Sequence, residues 1–242
     1  MFLLIGLEKK MLRGSRNIII SKIKHCRWLS SIKPNSEGYN DPLEIVMFVG
    51  SSRKKRIGGK VADCIGHEIK KRGHKLKILD PRDEAHEGFF MTLMEKAYFH
   101  YGKEEEVPPP LEAAAQIVRA ADAYVVVCPE YNHTISPALT NTMNFFGGSM
   151  YKNKASGIAT YSAGMWGGSR CGVALRAYLA ELGCLPVSAT MQLSGAWKKD
   201  TFDSNGLFPE SSTTNMLQNR MIDQLVWTAE ALREARRGDE EN

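Results

Sequence analysis

Apolar and polar positions along this chain alternate between two kinds of run. Residues 43–49 are apolar apart from Glu44 and are bounded by Pro42 and Gly50, which predicts a short buried strand. Residues 57–72 carry Ile57, Val61, Ala62, Ile65 and Ile69 at helical spacing, with Gly73 as the stop. Residues 75–79 alternate charged and apolar side chains, the pattern of a half-buried strand. The strongest strand signal is Tyr124-Val125-Val126-Val127-Cys128, whose β-branched run suits a central parallel strand covered on both faces. Further strands are predicted over 155–160 and 185–193. Further helices are predicted over 111–121, over 136–146 with Ser136 as N-cap and Pro137 in the first turn, and over 171–182. A terminal amphipathic helix over 214–237 places Met221, Leu225, Ala229 and Leu232 on one stripe. Residues 80–110 read as a long connection with a short helix over 91–99.

Strand and helix thus alternate five times, the signature of an α/β, doubly wound parallel sheet. In such a fold a ligand sits outside the carboxyl ends of the strands. The loops after the first, third and fourth strands therefore carry the functional information.

Charge is spread unevenly. Residues 1–40 hold eight Lys/Arg against Glu8 and Glu37, a net of +6, so the rest of the chain nets −1 of the total +5. The basic balance describes the leader and not the domain, which argues against a nucleic-acid partner. Arg13, Arg16, Lys22, Lys24 and Arg27 interleave with Ile18, Ile20, Ile23, Trp28 and several serines, so residues 1–41 resemble an organelle transit peptide; an unstructured extension is the alternative. Residues 42–242 form the working domain, expected in the cytoplasm, or in a mitochondrion or plastid if the leader is a transit peptide. No run approaches the roughly 18 apolar residues of a membrane span. The five cysteines show no CxxC or Cys/His spacing, so neither a zinc site nor a disulfide framework is expected, and no metal is assigned.

The first loop reads Gly50-Ser51-Ser52-Arg53-Lys54-Lys55-Arg56-Ile57-Gly58 and joins a strand to a helix N-terminus. Free backbone N–H groups, the positive end of the helix dipole, two hydroxyls and the arginine forks make a phosphate nest. Neither GxGxxG nor GxxxxGK[ST] is present, which disfavours a dinucleotide Rossmann site and a P-loop. The second loop, Pro129-Glu130-Tyr131-Asn132-His133, offers an aromatic face and polar edges to a flat ring. The third, Tyr161-Ser162-Ala163-Gly164-Met165-Trp166-Gly167-Gly168-Ser169-Arg170, lets the backbone approach a planar ligand closely. One phosphate nest and two ring loops at one end of one sheet would grip flavin mononucleotide.

These segments, together with Pro137-Ala138-Leu139-x-Asn141, resemble the NADPH-dependent FMN reductase family of flavodoxin-like proteins over about residues 43–193. The resemblance implies a three-layer flavodoxin-like fold with sheet order 2-1-3-4-5. It implies FMN held by Ser51, Ser52, Arg53, Arg56, Ile57 and Gly58 at the phosphate. At the ring it implies Pro129, Glu130, Tyr131, Asn132, Tyr161, Ser162, Ala163, Gly164, Gly167 and Gly168. It further implies NADPH as co-substrate, a small acceptor (quinone, flavin, azo compound or metal oxyanion), and a homodimer or homotetramer. Hydride would pass from NADPH to FMN and on to the acceptor by a ping-pong scheme. Arg56, Lys54 or Arg82 would meet the NADPH 2′-phosphate, and His133 is a candidate proton donor. Rival readings are a flavodoxin-like electron carrier, disfavoured because carriers are usually acidic, and an interaction protein that senses the flavin redox state.

Overall fold

The computed structural model describes residues 41–86 and 88–240. The basic leader lies outside them. Five strands, β1 (Glu44–Val49), β2 (Lys75–Leu79), β3 (Ala123–Pro129), β4 (Ala155–Tyr161) and β5 (Leu185–Leu193), form one parallel sheet in the order 2-1-3-4-5. Helices α1 (Gly58–Lys71), α2 (Pro109–Ala120), α3 (Pro137–Asn144), α4 (Gly148–Tyr151), α5 (Ser169–Glu181) and α6 (Thr213–Glu240) supply the crossovers and the terminal cover.

Strand alternation builds the three layers, because successive side chains point to opposite faces. Ile45, Met47 and Val49 of β1 and Val125 and Val127 of β3 face α1 and α6, packing with Val61, Ile65, Ile69, Met221 and Leu225. Val46 and Phe48 of β1 and Tyr124, Val126 and Cys128 of β3 face the other layer, packing with Leu111, Val118, Leu139, Met143, Leu175 and Leu179. Every residue of β3 and β4 is buried, while β2 at the edge alternates exposed and covered positions. Burying each large aliphatic side chain contributes about 1.5–3 kcal/mol, so both faces of the sheet are held by the same effect.

The long connection departs from expectation. No helix forms over 91–99. Instead two single 3₁₀ turns, Phe89–Met91 and Tyr98–His100, flank an extended piece. The reason lies in tertiary partners. Asn141 accepts the Met94 N–H at 2.9 Å and donates to the Thr92 carbonyl at 2.7 Å, and the Tyr98 N–H reaches the Phe145 carbonyl at 2.8 Å. A cluster of Phe89, Phe90 and Phe145, with centroids 5.1–5.3 Å apart, anchors the segment. The third helix also stops earlier than expected, at Asn144, and the chain restarts as the one-turn α4 after Gly147. Among the described residues no helix is long and apolar enough to cross a membrane.

Candidate functional site

The carboxyl ends of β1, β3 and β4 bring the three loops together. The 50–57 loop leads into α1, whose first turn holds no acid and whose N-terminus has no side-chain cap. Its orphan N–H groups and dipole therefore favour an anion. Ser51 is 1 % exposed, and its hydroxyl makes no well-formed hydrogen bond, with only a loose contact to the Tyr161 hydroxyl. A buried hydroxyl left so is costly unless a ligand completes it. Gly58 opens the space beside it: a Cβ there would collide with Ser51 Oγ and lie 2.5 Å from the Tyr161 hydroxyl. Tyr161, at the end of β4, thus closes the same cradle. Burial pushes its phenol well above the ordinary value, and the neighbouring Ser51 hydroxyl offsets only part of that. An unsatisfied hydroxyl, a hollow that only glycine leaves open and an uncapped helix N-terminus together fit a phosphate monoester such as that of FMN.

The cationic residues of this loop are placed differently from one another. Arg56 grips Asp80, just after β2, with both terminal guanidinium nitrogens and also donates to the Ser51 carbonyl, with Nη1 to Asp80 Oδ1 at 2.6 Å. Its charge is thereby engaged in shaping the loop. Arg82 donates to the Ser52 carbonyl at 3.0 Å and holds the other side of the turn. Ile57 occupies the N-cap position of α1 and packs on the apolar core. Arg53 is exposed and stacks over Tyr131, with its guanidinium carbon 4.4 Å from the ring centroid. One face of Tyr131 is therefore covered by protein.

Pro129 is buried and pairs in register with Tyr161. Glu130 differs from its expected place at a ring edge. Its Oε2 accepts the Arg170 and Cys171 N–H groups at 3.0 and 3.1 Å, so it caps α5 across the gap between loops. A carboxylate at that position answers the helix dipole. Beyond it Tyr131 and Thr134 exchange backbone hydrogen bonds of 3.2 and 3.0 Å, and Asn132 and His133 take φ of 50° and 64°. Asparagine tolerates this left-handed turn; a histidine there is held by the closure around it. Ser136 stands at the N-cap of α3, but its hydroxyl donates to the Gly50 carbonyl and does not cap the helix. That bond ties the second loop to the first, and the buried Gly50 carbonyl needs the donor more than the half-exposed helix end does.

In the third loop the Ser162 N–H bonds the Leu193 carbonyl at 3.2 Å, and the Gly164 carbonyl accepts the Gly195 N–H at 3.0 Å. Ala163, Gly164, Met165 and Trp166 remain exposed. Gly167 and Gly168 adopt φ of 59° and 84° and lead into α5. A Cβ on Gly168 would come 2.7 Å from Thr160 Cβ, so the close approach requires glycine as well as the positive φ. The residues that sequence reasoning missed are Asp80, Ser136 and Thr160, the last donating to the Gly167 carbonyl at 2.9 Å. Asp80 alone carried a signal, as an acid ending the strand that neighbours a basic loop.

Comparison with known proteins identifies the family. Residues 43–198 match the family described as NADPH-dependent FMN reductase. The chain is 28 % identical to the quinone reductase of Escherichia coli strain K12 over 185 residues, covering 75 % of this chain and 93 % of that protein. It is 27 % identical over 124 residues to an NAD(P)H-dependent FMN reductase of Pseudomonas aeruginosa, covering 50 % of this chain and 66 % of that one. Among solved structures, the flavoenzyme NAD(P)H:(acceptor) oxidoreductase FerB of Paracoccus denitrificans superposes with a TM-score of 0.59 at 18 % identity, covering 78 % of this chain and 98 % of that one. At that identity the likeness speaks to the fold alone. The match to the family spans well over half of the sequence, and the chain belongs to the NADPH-dependent FMN reductase family of oxidoreductases, which use FMN and a nicotinamide co-substrate.

Proposed function

We propose that this protein reduces a small electron acceptor, a quinone first among them, with NAD(P)H and a tightly held FMN. The observation that carries the site assignment is the unsatisfied, buried Ser51 hydroxyl beside the Gly58 hollow at the open N-terminus of α1. Bound FMN supplies the hydride chemistry there. Ser51, Ser52 and the N–H groups of 57–59 hold the phosphate, with Arg53 adding charge from the surface. Backbone of 129–132 and 161–168 lines the ring, and exposed N–H groups around Asn132 and Gly164 answer negative charge on it. Glu130 and Arg56 position these loops. His133, exposed at the tip of the second loop, delivers a proton to a reduced quinone. Met165 and Trp166, 76 % and 58 % exposed, flank the approach that the two substrates use in turn, giving ping-pong kinetics. Leu93 and Phe99, 83 % and 57 % exposed, supply apolar surface for a homodimer contact.

The purified protein is expected to be yellow and to release FMN on denaturation. Mixing with NADPH should bleach the flavin band within a turnover, and benzoquinone should restore it. Protein that stays colourless with excess FMN refutes the site. Coloured protein that NADPH leaves oxidised refutes the reductase reading in favour of an electron carrier.

A further inference from the structure

Two cysteines with no part in that scheme lie against each other beneath the ring loops. Cys128 is the residue of β3 just before Pro129, and Cys171 lies in the first turn of α5. Both are fully buried, and their sulfurs are 3.5 Å apart, with the Cys171 thiol directed at Cys128. Ser136 Oγ lies 3.5 Å from the Cys128 sulfur, and the Pro129 carbonyl lies 3.3 Å from it. The other two cysteines of the described residues are directed elsewhere: Cys64 donates to the Gly206 carbonyl at 3.3 Å and Cys184 to the Tyr151 carbonyl at 3.8 Å.

Burial alone would raise the Cys128 thiol, but hydrogen bonds to its sulfur, from the Cys171 thiol and from the Ser136 backbone N–H, hold the group below its ordinary value. Cys171 is pushed up, first by that shared hydrogen bond and then by burial. The pair is thus asymmetric, with one sulfur that gives up its proton more readily and one that keeps it. The thiolate is the nucleophile in sulfur redox chemistry, so asymmetry of this kind assigns an attacking and a resolving partner.

We propose that Cys128 and Cys171 form a dithiol centre that a small peroxide, admitted by local opening of the fold because both sulfurs are buried, converts to an intramolecular disulfide. The Cys128 thiolate attacks one oxygen of hydrogen peroxide. The O–O bond breaks, hydroxide leaves and takes up the proton that Cys128 released, and Cys128 becomes a sulfenic acid. The Cys171 sulfur then displaces the sulfenic oxygen, which departs with the Cys171 proton as a second water. Two thiols lose two electrons and two protons, and one peroxide becomes two waters. Closure draws the sulfurs from 3.5 Å to a bond length of about 2 Å. The displacement falls on Pro129 and on the Cys171 N–H that Glu130 holds, so the oxidised pair tightens the joint between the second loop and α5. This chemistry needs only the chain and is independent of the reading of the flavin site.

The test uses the full-length protein as purified. After treatment with hydrogen peroxide, intact mass should fall by about 2 Da relative to reduced protein. Two of the five thiols should be lost to maleimide labelling in denaturant, and a non-reduced peptide map should join Cys128 to Cys171. Cys171→Ser should give no cross-link and should trap a dimedone-reactive sulfenic acid at Cys128. Five thiols surviving peroxide, a cross-link between other cysteines, or separate sulfinic acids at Cys128 and Cys171 would each overturn the proposal. The wild-type peptide map decides the matter even if the serine variant fails to fold.

Discussion

Ser51→Ala separates the two things a buried hydroxyl does in this fold. The Ser51 side chain is 1 % exposed, and its oxygen makes no well-formed hydrogen bond, its contact with the Tyr161 hydroxyl being loose. A hydroxyl buried without a partner costs about 1–3 kcal/mol, and alanine fills nearly the same volume. The flavin-free variant should therefore be more stable than the parent by about 1 kcal/mol. For a domain of this size that is a rise of about 2–4 °C in melting temperature. Binding should move the opposite way. A hydrogen bond to a phosphate dianion is worth about 1.5–3 kcal/mol, so FMN affinity should fall by about 10- to 150-fold. The assay is paired: thermal melts of protein stripped of flavin, and titration of FMN fluorescence quenching on the same material. A lower melting temperature in the stripped variant would mean that the hydroxyl is satisfied by the chain itself. FMN affinity within twofold of the parent would remove Ser51 from the phosphate cradle.

Arg56→Ala should cost about 3 kcal/mol in urea denaturation, because it leaves Asp80 without its bidentate partner at a largely covered position. A change below 0.5 kcal/mol (the order of a bare surface pair) would show the clamp to be idle. Glu130→Gln, which keeps an acceptor but removes the charge at the start of α5, should lower stability by about 1 kcal/mol in the same assay, and no change would refute the capping role. His74 accepts the Leu43 N–H on Nδ1 at 3.3 Å, and burial, opposed by Glu230 and aided by Arg72 and Arg233, holds its pKa below the ordinary 6.5. Between that lowered value and 6.5 the unfolded chain binds more protons than the native one, so stability should fall as pH drops through this window. His74→Gln should flatten the slope of denaturation free energy against pH there; a slope equal to the parent's would exclude His74 as its source.

The architecture was legible because it rests on local pattern. Val125-Val126-Val127 can be buried on both faces only in a central strand, and Ile57, Val61, Ile65 and Ile69 share one helix stripe. The three loops were legible for the same reason, since each follows a strand whose end the pattern fixed. What escaped is what depends on neighbours across the sheet. Arg56 looked like a phosphate ligand because strand order places β2 beside β1 but does not say which basic side chain of the loop turns to Asp80. Glu130 looked like a ring-edge residue because α5, whose N-terminus it caps, begins some forty residues later in the chain. The helix expected over 91–99 failed because Asn141 and the Phe145 carbonyl take backbone groups that a helix would have used internally.

These misplaced side chains have a common physical consequence. Ser136 to the Gly50 carbonyl, Arg53 on Tyr131, and Glu130 on the α5 N-terminus tie the first loop to the second and the second to the third element of the site. Ser136, read as a helix cap, and Arg53 and Glu130, read as ligand-facing, are engaged in holding the loops against one another. The groups left for a ligand are backbone N–H groups and the hydroxyls of Ser51 and Ser52. A cradle fixed in this way loses little conformational freedom when a cofactor enters, so its donors act at nearly full strength. On the proposed reading, Arg56 and Glu130 set the shape of the cleft, and the phosphate is met by the main chain, Ser51 and Ser52, with Arg53 adding charge. The proposed site therefore predicts that substitutions at Arg56 or Glu130 alter flavin binding through loop geometry and those at Ser51 alter it directly.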